Sequence, residues 1–242
     1  MVVLDPMKLA RQPWQSVLFI GIIILMTTGS LPARKHKTPA DLSEILDPMN
    51  EAAKYVKTVS ANLEYTKVTV LVDDKSTETG QIFYRKGKNP EVRIDIQKPD
   101  QKAILFKKNQ AEVYLPKINQ IQQFDLQQKS ELIQQFFLLG FGSETSELRK
   151  SYNIKYLKEE DIDGDATAVL ELSPRAKSVA SQLVKIQLWV SEDSWLPVQQ
   201  KFFESGGDYL IARYSSMKVN RPLPNSTFEL RPASGAKRVK MN

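Results

Sequence analysis

The chain has 242 residues, 41% hydrophobic and 26% charged, the balance of a folded domain rather than a disordered one. Its formal charge of +6 is the small difference between 34 basic and 28 acidic residues; spread along the chain, it argues against nucleic-acid binding and suits weak attraction to anionic surfaces. With no cysteine and one histidine, His36, the sequence excludes disulfides, a thiol nucleophile, a lipid-bearing cysteine and a histidine-rich metal site, and leaves a Ser–His–Asp triad only a histidine in a basic linker.

In chain order, Lys8 and Arg11 precede an apolar run from Val17 to Met26, and "TTGS" (27–30) ends it with small residues. That is the pattern of a secretory signal, and the run is shorter than the roughly 20 apolar residues of a comfortable membrane span. The expected organisation is a signal peptide at 1–30, a basic linker at 31–39, one domain at 40–232 and a basic, disordered tail at 233–242. An uncleaved membrane anchor is the other reading of 1–30. Thr38 and Pro39 suit the start of a helix whose apolar residues Leu42, Ile45, Leu46, Met49, Ala53, Val56 and Val59 recur at helical spacing. Pro48 marks a point for a kink or a break.

From residue 61 the hydrophobic period becomes two. "ANLEYTKVTVLVDD", "TGQIFYRKG", "PEVRIDIQKP", "KAILFKKN", "AEVYLPK" and "INQIQQFDL" read as strands joined by short turns, an antiparallel meander. Residues 130–139 break the rhythm: Leu132, Ile133, Phe136, Phe137, Leu138 and Leu139 form a short apolar helix, followed by Gly140, Phe141 and Gly142. "SETSELRKSY" is a polar helix or loop. Strands resume at "YNIKYLKEE", turn at Asp163-Gly164, return through "TAVLELSP", and after the polar insert "RAKSVASQL" continue as "VKIQLWVSE", "LPVQQKFFE", "YLIARYSSMKVN" and "STFELRP". One long helix, about ten strands and a central apolar helix predict an α+β, mainly β fold. A strongly curved antiparallel sheet with the two helices seated in its concavity fits that inventory.

Chemistry-bearing motifs are scarce. No P-loop or dinucleotide fingerprint is present. "DIDGDATAVLEL" resembles a calcium loop only superficially, because Ala166 and Leu172 stand where glycine and glutamate are needed. A hairpin turn accounts for it. The apolar helix has two readings, an ordinary core helix or a movable cover over an apolar cavity, with Gly140 and Gly142 easing backbone rearrangement.

Taken together, "GQIFYRKGKNPEVRIDIQKPDQKAILFKKNQAEVYLPKINQIQQFDL", the apolar helix and "IQLWVSEDSWLPVQQKFFE" resemble, in order and spacing, the LolA-like outer-membrane lipoprotein carriers. The resemblance covers residues 40–232. It implies an incomplete β-barrel with helices plugging the concave side around an apolar cavity, in a periplasmic, non-enzymatic monomer without a cofactor or metal. Such a protein carries lipoprotein acyl chains, or another lipid, from an inner-membrane transporter to an outer-membrane receptor. The cavity wall is then expected at Tyr65, Ile82, Tyr84, Ile94, Ile96, Leu105, Val113, Leu115, Leu188, Val190 and Phe202. The lid is expected at Phe136, Phe137, Leu139 and Phe141, with Arg85 or Lys86 holding it. A one-residue error in any strand inverts its share of the wall. The alternatives are a sensor or scaffold of the same fold that binds protein partners, and an enzyme acting on lipid or cell-wall material.

Overall fold

The computed structural model describes residues 41–126, 141 and 144–241. The expected signal peptide and linker, and the lid residues Phe136, Phe137 and Leu139, lie outside the described residues.

The first helix, α1, spans Ser43–Tyr55 and runs straight through Pro48. Its start is fixed by Asp41, which accepts hydrogen bonds from the Ser43 backbone N–H (3.2 Å) and hydroxyl (2.7 Å). These bonds satisfy an orphan first-turn donor and hold the Asp41 carboxyl below its ordinary range. At the other end Val56 turns to extended backbone. Lys86 Nζ donates to the Ala53 carbonyl at 2.9 Å, and Asn220 Nδ2 to that of Tyr55 at 2.9 Å, so two distant side chains cap the helix. The buried stripe Ile45, Leu46, Met49 and Ala53 is the apolar spacing read from the sequence. Val59 belongs instead to the first strand.

Twelve strands form one open, curved sheet. They are β1 (Thr58–Thr69), β2 (Asp74–Arg85), β3 (Glu91–Lys98), β4 (Lys102–Lys107), β5 (Gln110–Leu115), β6 (Gln120–Asp125), β7 (Tyr152–Ile162), β8 (Asp165–Pro174), β9 (Leu183–Ser191), β10 (Pro197–Glu204), β11 (Tyr209–Val219) and β12 (Lys237–Met241). Among the described residues two short helices accompany them, α2 (Thr145–Ser151) in the stretch read as polar helix or loop and α3 (Lys177–Ala180) in the polar insert. The order is β12-β6-β5-β4-β3-β2-β1-β11-β10-β9-β8-β7. Two antiparallel meanders, β1–β6 and β7–β11, therefore meet along the β1–β11 seam.

The tail expected to be disordered is a strand: β12 pairs in parallel with β6, from Lys237 opposite Gln120 to Met241 opposite Phe124. Parallel pairing of basic residues was not legible as a strand pattern, because one short edge strand facing water shows no apolar alternation. The preceding segment crosses the outer face of the sheet. There Phe228 is buried, the Arg85 guanidinium lies 4.3 Å over its ring, and Arg93 donates to the Thr227 (3.1 Å) and Glu229 (2.8 Å) carbonyls. "STFELRP" thus forms a 3-10 turn at Asn225–Phe228 rather than a strand.

On the inner face, the β7–β11 half packs Leu170, Leu172, Ile186, Leu188, Val190 and Phe202 against Ile45, Leu46 and Met49 of α1. The β1–β4 half carries a second cluster that includes Leu63, Ile82, Tyr84, Val92, Ile94, Ile96, Tyr214 and Phe141. Among the described residues no helix is long and apolar enough to cross a membrane.

Candidate functional site: an apolar cavity over the first meander

The register fixes which side chains share the inner face. Opposite residues point the same way, so Ala61–Ile82–Ile94–Ile104 forms one row across β1 to β4, and Val59–Tyr84–Val92–Phe106 the next. Across the seam Leu63 stands opposite Tyr214, and Tyr65 opposite Ala212. These rows, against which Ala52 of α1 also packs, border a cavity of about 220 Å³. Its walls are Leu63, Tyr65, Ile82, Ile94, Ile96, Ile104, Ala212 and Tyr214. Glu78 and Lys102 line it as well, joined by an ion pair of 2.7 Å in which both side chains are about a quarter exposed (27% each). The cavity is therefore apolar with one neutral, charge-separated edge.

Gly80 makes the close strand approach beneath this wall possible. A Cβ there would lie 2.0 Å from the Asp95 carbonyl oxygen, and the β2–β3 register shifts between Thr79 and Gly80. Burial raises the phenolic pKa values of Tyr65 and Tyr84 to about 12, with the Glu78 charge adding to the effect at Tyr65. Burial raises that of Tyr214 further. All three hydroxyls stay neutral donors across the physiological range.

Of the expected wall, Tyr65, Ile82, Ile94 and Ile96 line the cavity. Tyr84 shares their face one row away, where its ring centroid is 6.5 Å from that of Phe141. Val113 pairs with Ile104 on the same face, and Leu115 follows two residues on; both are half-buried and neither borders the cavity. Leu105 stands opposite Arg93 and Glu112, on the outer face. It was misplaced by one residue within the continuous apolar run Ala103-Ile104-Leu105-Phe106, and Ile104 takes the inner position. Leu188, Val190 and Phe202 have the right face but the wrong half: they are fully buried beneath α1. Leu63, Ala212 and Tyr214 were missed because the β1–β11 pairing joins residues far apart in sequence, and the Glu78–Lys102 edge for the same reason.

The contacts of the expected basic residues among the described residues are these, while Phe136, Phe137 and Leu139, which they were expected to hold, lie outside the described residues. Arg85 points to the outer face, pairs with Glu91 (2.5 Å) and donates to Asn225 Oδ1 (2.8 Å). Lys86 caps α1. Of the four lid residues, Phe141 is described: it is buried and packs edge-on against Tyr214, centroids 4.8 Å apart at 73°.

The acidic loop behaves as a turn. Asp163 (φ 55°) and Gly164 (φ 84°) take the left-handed conformations of a tight hairpin, and the Gly164 N–H donates to Asp161 Oδ1 at 2.7 Å. Asp163 pairs with Arg213 at 2.8 Å and Asp165 accepts from the Ser191 hydroxyl at 2.9 Å. Among the described residues no group of three acidic, histidine or cysteine side chains is arranged to hold a metal.

Residues 94–221 match a family model whose description reads "Uncharacterized protein", more than half of the chain. An uncharacterized protein of Methanocaldococcus jannaschii is 27% identical over 125 residues, which make up 52% of this chain and 34% of that protein, about a third of the relative's length. Among solved structures, MucB resembles the chain with a TM-score of 0.51 at 14% identity, covering 80% of this chain and 64% of that one. A conserved protein of Thermus thermophilus does so at 0.53 and 12%, covering 82% and 98%. A LolA superfamily protein of Nitrosomonas europaea matches at 20% identity over 77% and 98%, with a TM-score of 0.38. MucB of Pseudomonas aeruginosa has also been solved in complex with MucA. The likenesses to MucB and to the Thermus thermophilus protein concern the fold alone, one open, curved, mainly antiparallel sheet of the kind expected from the sequence.

Proposed function

We infer that this chain, which belongs to the family whose model it matches over residues 94–221, is a binding protein that carries an acyl-chain amphiphile in the cavity over its first meander. The observation that supports this is the cavity itself, with eight apolar or aromatic wall residues and one ion pair at its edge. Hydrocarbon is the occupant that such walls favour, at about 0.8 kcal/mol for each buried CH₂. Ten methylenes would supply about 8 kcal/mol gross, in the micromolar range before ordering costs. The Glu78–Lys102 pair and the Tyr65 hydroxyl would meet the polar head, since a mixed donor–acceptor edge tolerates many head groups.

The wider setting belongs to the same reading. The chain is exported by its N-terminal segment and works in the periplasm as a monomer. There it takes lipoprotein acyl chains from an inner-membrane transporter and delivers them to an outer-membrane receptor. Phe136, Phe137 and Leu139 cover the cavity as a lid, and the protein performs no chemistry of its own.

Native mass spectrometry of gently purified protein, compared with denatured protein, tests the reading. Extra mass released as phospholipid or acylated peptide is the expected result. Ile94→Asp places a charge in the apolar wall and is expected to lower uptake of a fluorescent fatty acid at least tenfold. Bare protein that also refuses acylated peptide would point instead to the scaffold reading. That reading draws on the MucB likeness, because MucB has been crystallised with the protein MucA.

A further inference from the structure

We propose that the end of the sheet carrying the β1–β2, β3–β4 and β5–β6 turns docks on a lipid surface, with the β1–β2 and β5–β6 tips inserted among the acyl chains. In a meander successive turns alternate between the two ends. The turns after Thr69 and Leu115 therefore share an end with the β3–β4 turn, and those at 86–90 and 108–109 share the other. Both projecting tips have the same construction. A strand ends, three residues make a 3-10 turn (Val70–Val72, Pro116–Ile118), and a left-handed residue closes it, Asp73 at φ 48° and Asn119 at φ 45°. In each, that residue's N–H donates to the carbonyl three residues back. A closed five-residue tip of this kind holds its third turn residue outward on a firm backbone.

What these tips hold outward is apolar. Val70 is 53% exposed, Leu71 93%, Val72 68% and Ile118 61%. Leaving such side chains in water forfeits about 2 kcal/mol each relative to burial, and clustering them at one end marks an interaction site. Two observations select a lipid surface as the occupant. First, the apolar residues stand on two separate prongs with the β3–β4 turn between them. A bilayer accepts separate prongs, whereas a protein partner needs a continuous complementary patch of about 800 Å² on each side. Second, the charges around them are of both signs: Asp73 and Asp74 adjoin Lys75, the Val70 N–H donates to Asp208, and Lys117 is paired with Asp100. No basic or acidic partner is specified.

Glu78 and Lys102 border the cavity near the same end, opposite Tyr65 and Ile96. The docking stands apart from what the cavity carries, and its test reads the tips alone.

The absence of cysteine makes the test direct. Full-length protein bearing Leu71→Cys or Ile118→Cys, each labelled with an environment-sensitive dye, is mixed with phosphatidylcholine vesicles containing quencher-bearing lipid. A Lys88→Cys label at the opposite end is the control. The expected result is a blue shift and quenching at 71 and 118, little dependence on salt, and neither effect at 88. Adding Val70→Asp and Val72→Asp to the Leu71→Cys protein is expected to abolish the shift. A label at 71 that stays in water while the protein sediments with vesicles would overturn the proposal. So would a shift that appears without vesicles and tracks self-association in the ultracentrifuge.

Discussion

A single missing methyl group lets the cavity wall exist. Gly80 sits where β3 crosses so near that an added Cβ would lie 2.0 Å from the Asp95 carbonyl oxygen, a backbone atom that cannot rotate away. Gly80→Ala is therefore expected to cost about 2 kcal/mol or more and to disturb the β2–β3 register, seen as a lower urea midpoint and faster amide exchange at Ile96. An unchanged midpoint would mean that the two strands separate at little cost. The tyrosines carry a pH prediction. Tyr65 and Tyr84 ionise near 12 in the folded protein, raised by burial, against about 10 in the unfolded chain. The neutral phenol is thus the form that folding favours. Its stabilisation is complete below about pH 10 and is lost as pH rises through 12. An alkaline unfolding transition in that window, with phenolate absorbance appearing together with loss of structure, is expected. Phenolate formation at Tyr65 or Tyr84, followed by replacing each with Phe, in a protein that remains folded at pH 10.5 would contradict it.

Among the elements, β12 makes the sharpest prediction. It covers the β6 edge with five residue pairs, and Arg238 pairs with Glu112 at 2.6 Å. Removing residues 233–242 exposes the edge of β6 while leaving Phe228 seated. The truncated protein is expected to fold, to exchange the β6 amides faster and to self-associate through the bare edge, as sedimentation velocity would show. A monomer with unaltered exchange would deny the strand any guarding role. Its basic sequence hid it, whereas α1 and the first five strands could be read directly, because burial on one face prints a period of 3.6 or 2 into the residues. "PEVRIDIQKP" shows the period plainly, and its inner residues Val92, Ile94 and Ile96 are those the alternation selects. "KAILF" does not: four adjacent apolar residues serve both faces, since the C-terminal segment covers the outer one, and parity is lost. The Asp163-Gly164 turn was legible because only its left-handed geometry suits that dipeptide. The division of the inner face between α1 and the cavity was not legible, since strand pattern records which side of the sheet is buried but not what buries it.

The whole molecule is two meanders with different uses for the same face. Over β7–β11 the face is filled by α1; over β1–β4 it is left open enough to hold a ligand. Phe141 packs against Tyr84 and against Tyr214, the second of which lines that space. Phe141→Ala is expected to lower stability by about 3 kcal/mol and to enlarge the cavity, so that longer fatty acids bind more tightly relative to short ones. Calorimetric titration with a chain-length series would show whether that preference moves. A stability loss with no change in chain-length preference would separate Phe141 from the ligand space.

The β1–β11 seam also sets when the protein becomes a protein. Asn220 Oδ1 accepts from the Lys57 N–H across 163 residues of chain, and β1 cannot gain its second neighbour until β11 has been made. The central strand of the sheet is thus among the first synthesised and the last completed. Contacts of such long range are slow to form, and a growing chain holding only β1 to β6 has one meander with an unpaired inner edge and none of the strands that α1 packs against. Such a chain is expected to complete its fold only late in its synthesis. A polypeptide that must be threaded through a narrow channel before it folds gains by that delay, because it need not be unfolded again.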